Sequence, residues 1–252
     1  MKKIVFLFLI IASSLTAQNA DSLFETANNL YKEGKIEQAI ESYREIESKN
    51  LISSELYYNL GNCYYKLNKV GPAIYNYEKA LLINPLNEDV KNNLIFAKRL
   101  ALDNIEELPK TVLQKFNQNY LQNLSYNQWA IVVVILSIIA SLLFLLFYFA
   151  NVPARKRFYF ATSIFSFMFL ISSIFITYNQ YNQSKNKIEA IVFSEKTDVR
   201  NAPTLNSEEI FTLHEGTKVS VLDAVDNWKK IKLVDGKIGW IIADNVKLLV
   251  NN

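Results

Sequence analysis

Of 252 residues, one is cysteine and one is histidine. Cys63 alone can form no internal disulfide, and no CxxC metal or redox pair exists. Cys63 and His214 are separated by two long apolar runs, so a Cys–His nucleophile pair in one pocket would have to bridge them. HExxH and GxxxxGK[ST] are both missing, which removes the signatures of zinc-dependent hydrolysis and phosphate cradling. A basic soluble surface is missing as well. The formal charge is +3, but residues 18–128 hold 12 Lys/Arg against 14 Asp/Glu, and residues 180–252 hold ten of each. The excess comes from Lys2 and Lys3 and from Arg155, Lys156 and Arg157, all beside apolar runs, where membrane topology uses positive charge. Nucleic acid is therefore not an expected partner. No catalytic residue, metal site or cofactor is expected, and the reading is of a protein that is not an enzyme.

The chain opens "MKKIVFLFLIIASSLTAQNA": two lysines, an apolar core too short to span a bilayer, then small residues ending at Ala17. This is the pattern of a secretory signal peptide over residues 1–17. An uncleaved anchor is the alternative, and both readings put residue 20 onward outside the cytoplasm.

Residues 20–108 contain a repeat. "LFETANNLYKEGKIEQAIESYREI" aligns with "LYYNLGNCYYKLNKVGPAIYNYEKA", with Ala39 and Ala73 at equivalent places. Small Ala27/Gly61 and Ala39/Ala73 fit close helix crossings, and Pro85 ends the second copy. The period is that of the tetratricopeptide repeat, two antiparallel helices per unit. Two units seldom suffice alone. "NEDVKNNLIFAKRLAL", with Val90, Leu94, Ala97 and Leu100/Ala101 on one face, supplies either a closing helix or the first half of a third repeat. Such stacks resemble peptide-binding scaffolds in which the first helix of each unit lines a groove. On that resemblance the groove positions are Phe24, Asn28, Tyr31 and Lys32, then Tyr58, Asn62, Tyr65 and Lys66. Asn28/Tyr31/Lys32 recurs one period later as Asn62/Tyr65/Lys66. Asn can pair with a peptide backbone, Tyr offers flat contact area and Lys offers charge. The recurrence fits a partner-binding groove, and it equally fits common ancestry on a solvated face. Cys63 reads as a buried small side chain, because nothing nearby supplies a base.

Residues 109–128 form an amphipathic connector. Leu113, Phe116, Tyr120 and Leu124 recur at helical spacing, on a segment lying either on a membrane surface or against the repeats. Residues 129–150 and 158–178 are uncharged and long enough to span a bilayer, with Tyr126, Trp129, Tyr159 and Tyr178 near their ends. Neither holds an ionisable group for a proton or ion pathway, so the simplest role is a hairpin anchor. The loop 151–157 carries the three cations and is expected on the cytoplasmic side. An even number of spans then returns the C-terminal part to the side of the repeats.

Residues 187–250 read as short β strands, with turns at Glu215-Gly216 and Asp235-Gly236. "DVRNAP", "LHEGTKVSVL", Trp228 and "DGKIGWI" together resemble a bacterial SH3-like barrel, which implies binding of peptides or cell-wall components. Asp198, Arg200, Trp228 and Trp240 are the candidate ligand contacts; Asp198 and Arg200 also fit a loop brace, and the tryptophans also fit core positions. His214 reads as an ordinary surface residue.

The fold class is thus a multi-domain membrane protein: an α-helical tetratricopeptide solenoid, two transmembrane helices and a C-terminal all-β SH3-like barrel. The whole order, with "YYNLGNCYYKLNKVGPAIYNYEKALLINP", "VKNNLIFAKRLALDNIEELP" and "LSYNQWA", resembles the E component of the Bat (aerotolerance) proteins. That resemblance implies an envelope assembly with membrane proteins bearing von Willebrand A domains and, indirectly, a MoxR-type AAA+ ATPase. The expected function is a non-enzymatic scaffold in the inner membrane with both soluble parts periplasmic. A protein that senses or targets peptidoglycan through its C-terminal domain is the alternative.

Overall fold

A computed structural model describes residues 22–106, 108–186 and 188–249. The signal peptide expected at 1–17 lies outside the described residues. The chain forms two compact units. One joins Met1–Leu108 to Glu189–Asn252, and the other is Pro109–Ile188.

The first unit begins with five helices: α1 (22–32), α2 (Ile36–Ser48), α3 (Ser54–Lys66), α4 (Val70–Ile83) and α5 (Glu88–Leu100). Local chemistry sets their ends. Ser53 accepts the backbone N–H of Leu56 at the start of α3, and Asn87 accepts that of Val90 at the start of α5. Glu88 and Asp89 open α5 and Lys98 and Arg99 close it, each complementing the helix dipole. Both helix-to-helix turns inside the repeats use a left-handed residue, Gly34 at φ +80° and Asn68 at φ +56°, again one period apart. The core holds Ala27, Ala39, Tyr43, Tyr57, Leu60, Cys63, Ala73 and Tyr77, all essentially unexposed. Gly61 is where α3 and α4 cross: a Cβ there would stand 2.5 Å from the Tyr77 ring. Cys63 is fully buried and burial pushes its thiol up to about 12, as suits an inert packing residue.

Seven strands follow: β1 (Ile188–Val192), β2 (Lys196–Arg200), β3 (Glu209–His214), β4 (Lys218–Val225), β5 (Trp228–Lys232), β6 (Ile238–Ile242) and β7 (Val246–Leu249). Their order is β3-β2-β6-β5-β4-β1-β7, with antiparallel ladders. The order ends at β3 and β7, and no ladder joins those two among the described residues. What is found is an antiparallel sheet that does not close, where the sequence suggested a barrel. One face buries Ala190, Val192, Val199, Leu213, Val219, Ile231, Leu233 and Ile241. The Asp235-Gly236 hairpin turn is present; Gly236 has φ +92°, and Asp235 Oδ1 accepts the Lys237 N–H at 3.0 Å. Gly239 lets β6 approach β2, since a Cβ there would run into Val199 Cγ1.

The sheet and the repeats are not separate modules. Ile191 and Leu249 of the sheet belong to the repeats' own apolar core, with Phe193 packed against it. The β3–β4 turn fits against α4 and the residue that follows α5: a Cβ on Gly216 would lie 2.9 Å from Ile74, 3.2 Å from Val70 and 3.5 Å from Ala101. Lys69 gives α4 no side-chain cap, and Glu215 supplies one instead, its carboxylate accepting the Gly71 N–H at 3.1 Å. The Asp103 carboxylate accepts the His214 N–H at 2.7 Å and the Thr217 hydroxyl at 2.5 Å, and meets His214 Nδ1 at 2.7 Å. His214 is thus a joint between helices and sheet, not an ordinary surface residue. Lys218 Nζ lies 2.8 Å from Glu78 and 2.7 Å from Glu189, and Glu78 also holds Lys98 at 2.8 Å. An array of two repeats leaves the outer side of its last helices bare. Here the sheet covers it.

The second unit contains α6 (Val112–Phe116), a π-helical turn (Asn117–Leu121), α7 (Tyr126–Phe149) and α8 (Pro153–Asn186). Helices α7 and α8 pack on each other, and both are long and apolar enough to cross a membrane. At 1.5 Å per residue they measure roughly 36 and 51 Å. The link between them is residues 150–152, shorter than the loop expected at 151–157. Pro153 starts α8, because its fixed φ and missing N–H suit a first helical position. Arg155, Lys156 and Arg157 therefore sit in the opening turns of a helix, where the dipole disfavours cations.

Candidate functional site

The inner helices of the repeats bring four of the eight expected groove residues, Asn28, Tyr31, Lys32 and Asn62, to one pocket. Asn28, Tyr31 and Lys32 of α1 and Asn59 and Asn62 of α3, over Tyr43, line a concave pocket of about 220 Å³. Lys66 Nζ sits 5.5 Å from the Tyr31 ring centroid, within cation–π range. Lys32 and Lys66 are exposed, Tyr65 is 36% exposed, and Tyr31 is half-buried, its hydroxyl raised in pKa by that burial.

The asparagines hold the repeats together. Asn28 Oδ1 accepts the Tyr43 hydroxyl at 2.5 Å and the Asn59 amide at 3.1 Å. One unit later, Asn62 Oδ1 accepts the Tyr77 hydroxyl at 2.8 Å and the Asn93 amide at 2.8 Å. Every member of the first trio recurs one period on. The carboxamide oxygens therefore lock successive helices together, and burial of the donors makes these bonds hard to replace by water. The Asn28 and Asn62 N–H₂ groups donate to no protein acceptor among the described residues, which leaves two donors per unit at the groove. Phe24 and Tyr58 are half-buried packing residues: Phe24 meets Tyr43 edge-on at 5.7 Å, and Tyr58 lies 6.3 Å from Tyr77.

Sequence reasoning missed Asn59, Asn93, Tyr43 and Tyr77 as a connected lattice. The signal was present, since Asn59 and Asn93 are one period apart. It extends to α5, where Asn93 reaches Asn62 as Asn59 reaches Asn28.

On the sheet, the outer face of β5 and β6 gathers Trp228, Lys230, Trp240 and Ile242 through the pairs Trp228↔Ile242 and Lys230↔Trp240. Both tryptophans are half-exposed and neither belongs to the buried core. Lys230 Nζ lies 5.8 Å from the Trp240 ring centroid. Arg200 pairs with Trp240 in register, but its guanidinium is held by the carbonyls of Leu205 and Ser207 and by Glu209 at 2.6–2.8 Å. Arg200 braces the loop after β2 and has little left for a ligand. Asp198 is half-buried on β2, opposite Thr212. Among the described residues there is no group of three or more His, Cys, Asp or Glu placed to hold a metal ion.

Two family models match the chain. The tetratricopeptide repeat model covers residues 54–87, and the bacterial SH3 domain model covers residues 195–247. The first match falls on α3 and α4, and the second spans β2 to the start of β7, with the half-buried Trp228 and Trp240. No curated protein matches the chain. Modules of these two kinds support protein–protein interaction, and the second also suits contact with cell-wall material.

Proposed function

We propose that this protein is a non-enzymatic scaffold of the inner membrane that holds envelope partners through the repeat groove, with both soluble segments on the periplasmic side. The observation that carries this reading is the composition of the first unit, which draws on chain from both sides of the α7–α8 hairpin. A unit with one shared core cannot form across a bilayer, so an inserted hairpin must return the chain to the side it left. The exposed apolar surface of α7 and α8, bare of ionisable groups through its centre, supports insertion. The bacterial SH3 match favours an envelope location. The order of segments supports a place in a Bat-type assembly linked to oxygen tolerance, beside membrane proteins with von Willebrand A domains. Coupling to a cytosolic MoxR-type AAA+ ATPase then runs through those partners, because the turn between α7 and α8 is too short to dock an ATPase.

The groove offers amide donors, a flat aromatic wall and two exposed lysines, a set suited to an extended peptide carrying an acidic side chain. The test leaves the structural asparagines intact. In the full chain, Tyr31→Ala, Lys32→Ala, Tyr65→Ala and Lys66→Ala together should abolish capture of envelope partners by crosslinking in intact cells, without unfolding the repeats. Unchanged crosslinks from a folded quadruple variant would sink the groove.

The half-exposed Trp228/Trp240 face favours a second reading, peptidoglycan sensing or targeting. Retention of the full chain on purified sacculi, lost on Trp228→Ala with Trp240→Ala, would support it; no retention of the unmodified protein would rule it out.

A further inference from the structure

Between residues 109 and 188 the chain has no Asp or Glu, but it has Lys110, Lys115, Arg155, Lys156, Arg157, Lys185 and Lys187. Such one-sided charge in a segment with two apolar helices points to an anionic surface. The structure shows how one end of this unit is built to meet it.

Helix α6 starts with a capping box in which Thr111 and Gln114 satisfy each other's backbone N–H groups. It runs directly into the π-helical turn Asn117–Leu121, which stacks Tyr120 on Phe116 at 5.1 Å. Val112 and Leu113 are 83% and 80% exposed, and Phe116 and Tyr120 are also open. This elbow is not a loose linker. The Leu121 carbonyl accepts the Trp129 indole N–H at 2.9 Å and the Gln180 side-chain N–H at 2.6 Å. One carbonyl thus fastens the elbow to the start of α7 and to the late turns of α8. At the same level Tyr126 and Tyr181 meet edge to face at 5.7 Å, and Lys185 Nζ lies 4.9 Å from the Tyr181 centroid. Indole and phenol rings with lysines at one end of two apolar helices make an interfacial belt.

We propose that residues 112–121 form an in-plane foot bound to anionic phospholipid in the leaflet at this end of the hairpin. Val112, Leu113, Phe116 and Tyr120 enter the acyl boundary, and Lys115 and Lys185 meet headgroup phosphates. The π turn sets the foot's angle to α7, and the doubly bonded Leu121 carbonyl keeps it there. The foot rests on the proposed insertion of α7 and α8.

The test uses the full chain in proteoliposomes, spin-labelled at one introduced cysteine, with buried Cys63 left in place. Leu113→Cys probes the apolar side, Gln118→Cys the elbow elsewhere, and Ile139→Cys the middle of α7. Collisions with oxygen and with a water-soluble nickel chelate give the depth of each label. In phosphatidylcholine containing phosphatidylglycerol, the oxygen-to-nickel ratio at 113 should exceed that at 118 several-fold, with 139 deepest. In phosphatidylcholine alone, or with Lys115→Gln and Lys185→Gln, the ratio at 113 should fall towards that at 118. If 139 lies in lipid while 113 is as wet as 118, the foot is wrong and the hairpin stands. Shielding of 113 from both reagents means that protein covers it, and overturns the foot as well. A depth at 113 indifferent to phosphatidylglycerol overturns the preference for anionic lipid. Water at 139 overturns the insertion itself.

Discussion

Replacing Lys218 by Met tests whether repeats and sheet are one structure. The ammonium lies between Glu78 at 2.8 Å and Glu189 at 2.7 Å, and Glu78 is 8% exposed. Burial pushes the Glu78 carboxyl up, but Lys218 and Lys98 outweigh it and hold the group below the ordinary carboxylate range. Burial likewise opposes the charge on Lys218, and the two carboxylates override it and raise its pKa. At an effective dielectric of about 20, each contact is worth roughly 6 kcal/mol before desolvation is subtracted. Removing one partner of a buried pair costs about 3–5 kcal/mol. Glu78 keeps Lys98, so the lower end, about 3 kcal/mol, applies here. For a unit of this size that corresponds to a drop of about 6–12 °C in Tm. Lys98 is the internal comparison: its side chain is 48% exposed. Lys98→Met should cost less than about 1 kcal/mol. The assay is thermal unfolding of the detergent-solubilised full chain followed by tryptophan fluorescence, with Trp228 and Trp240 reporting from the sheet. If Lys218→Met melts within a degree or two of Lys98→Met, the ion cluster does not fasten sheet to repeats.

The Asp103 joint predicts an acid limb. Burial pushes this carboxyl up, but hydrogen bonds from Thr217 and His214 overcome that and lower its pKa. Its contribution is therefore present above the unfolded value near 3.9 and is lost as pH falls through the folded one. Asp103→Asn should lower stability at neutral pH and flatten the loss of Tm below about pH 4; an unchanged acid limb would argue against the joint. Gly61→Ala sets two effects against each other. Alanine favours helix by about 1 kcal/mol, but its Cβ would meet the fully buried Tyr77 ring at 2.5 Å. Overpacking costs about 1–3 kcal/mol, so a net loss of stability by urea titration is expected, and a gain would show that the crossing can relax.

Periodicity made most of the first unit legible. The recurrence named the helices and their crossings, because each follows from spacing along one helix pair. Two things were hidden. The asparagine oxygens look from the sequence like ligand contacts, since recurrence cannot tell a side chain facing a neighbour's helix from one facing a groove. The joint between sheet and repeats was invisible because its partners are far apart in sequence: Gly71 with Glu215, Asp103 with His214, Glu78 with Lys218. None of these pairs carries a local pattern. The bulges after Val199 and Val221 shift strand register without a composition signal, so alternation identified the buried face of β4 and β5 but not the outer Trp228/Trp240 face.

The arrangement bears on how the groove and the sheet work together. Two modules on a flexible chain gain from tethering through effective concentration alone, and their relative orientation is free. Here Glu215 caps α4, Asp103 holds the turn, and Ile191 and Leu249 complete the repeats' core. A ligand that contacts both groove and sheet therefore meets a preset geometry, with less orientational freedom to lose on binding. The same coupling constrains assembly. The sheet follows both apolar helices in the chain, so the last repeat helices gain their cover only after α7 and α8 have been made. The ligand-binding form of the repeats is thus expected to depend on completion of the hairpin and the sheet. A chain truncated after residue 108 should lose protection from amide exchange in α4 first, because that helix holds Gly71, Ile74 and Glu78 against the sheet.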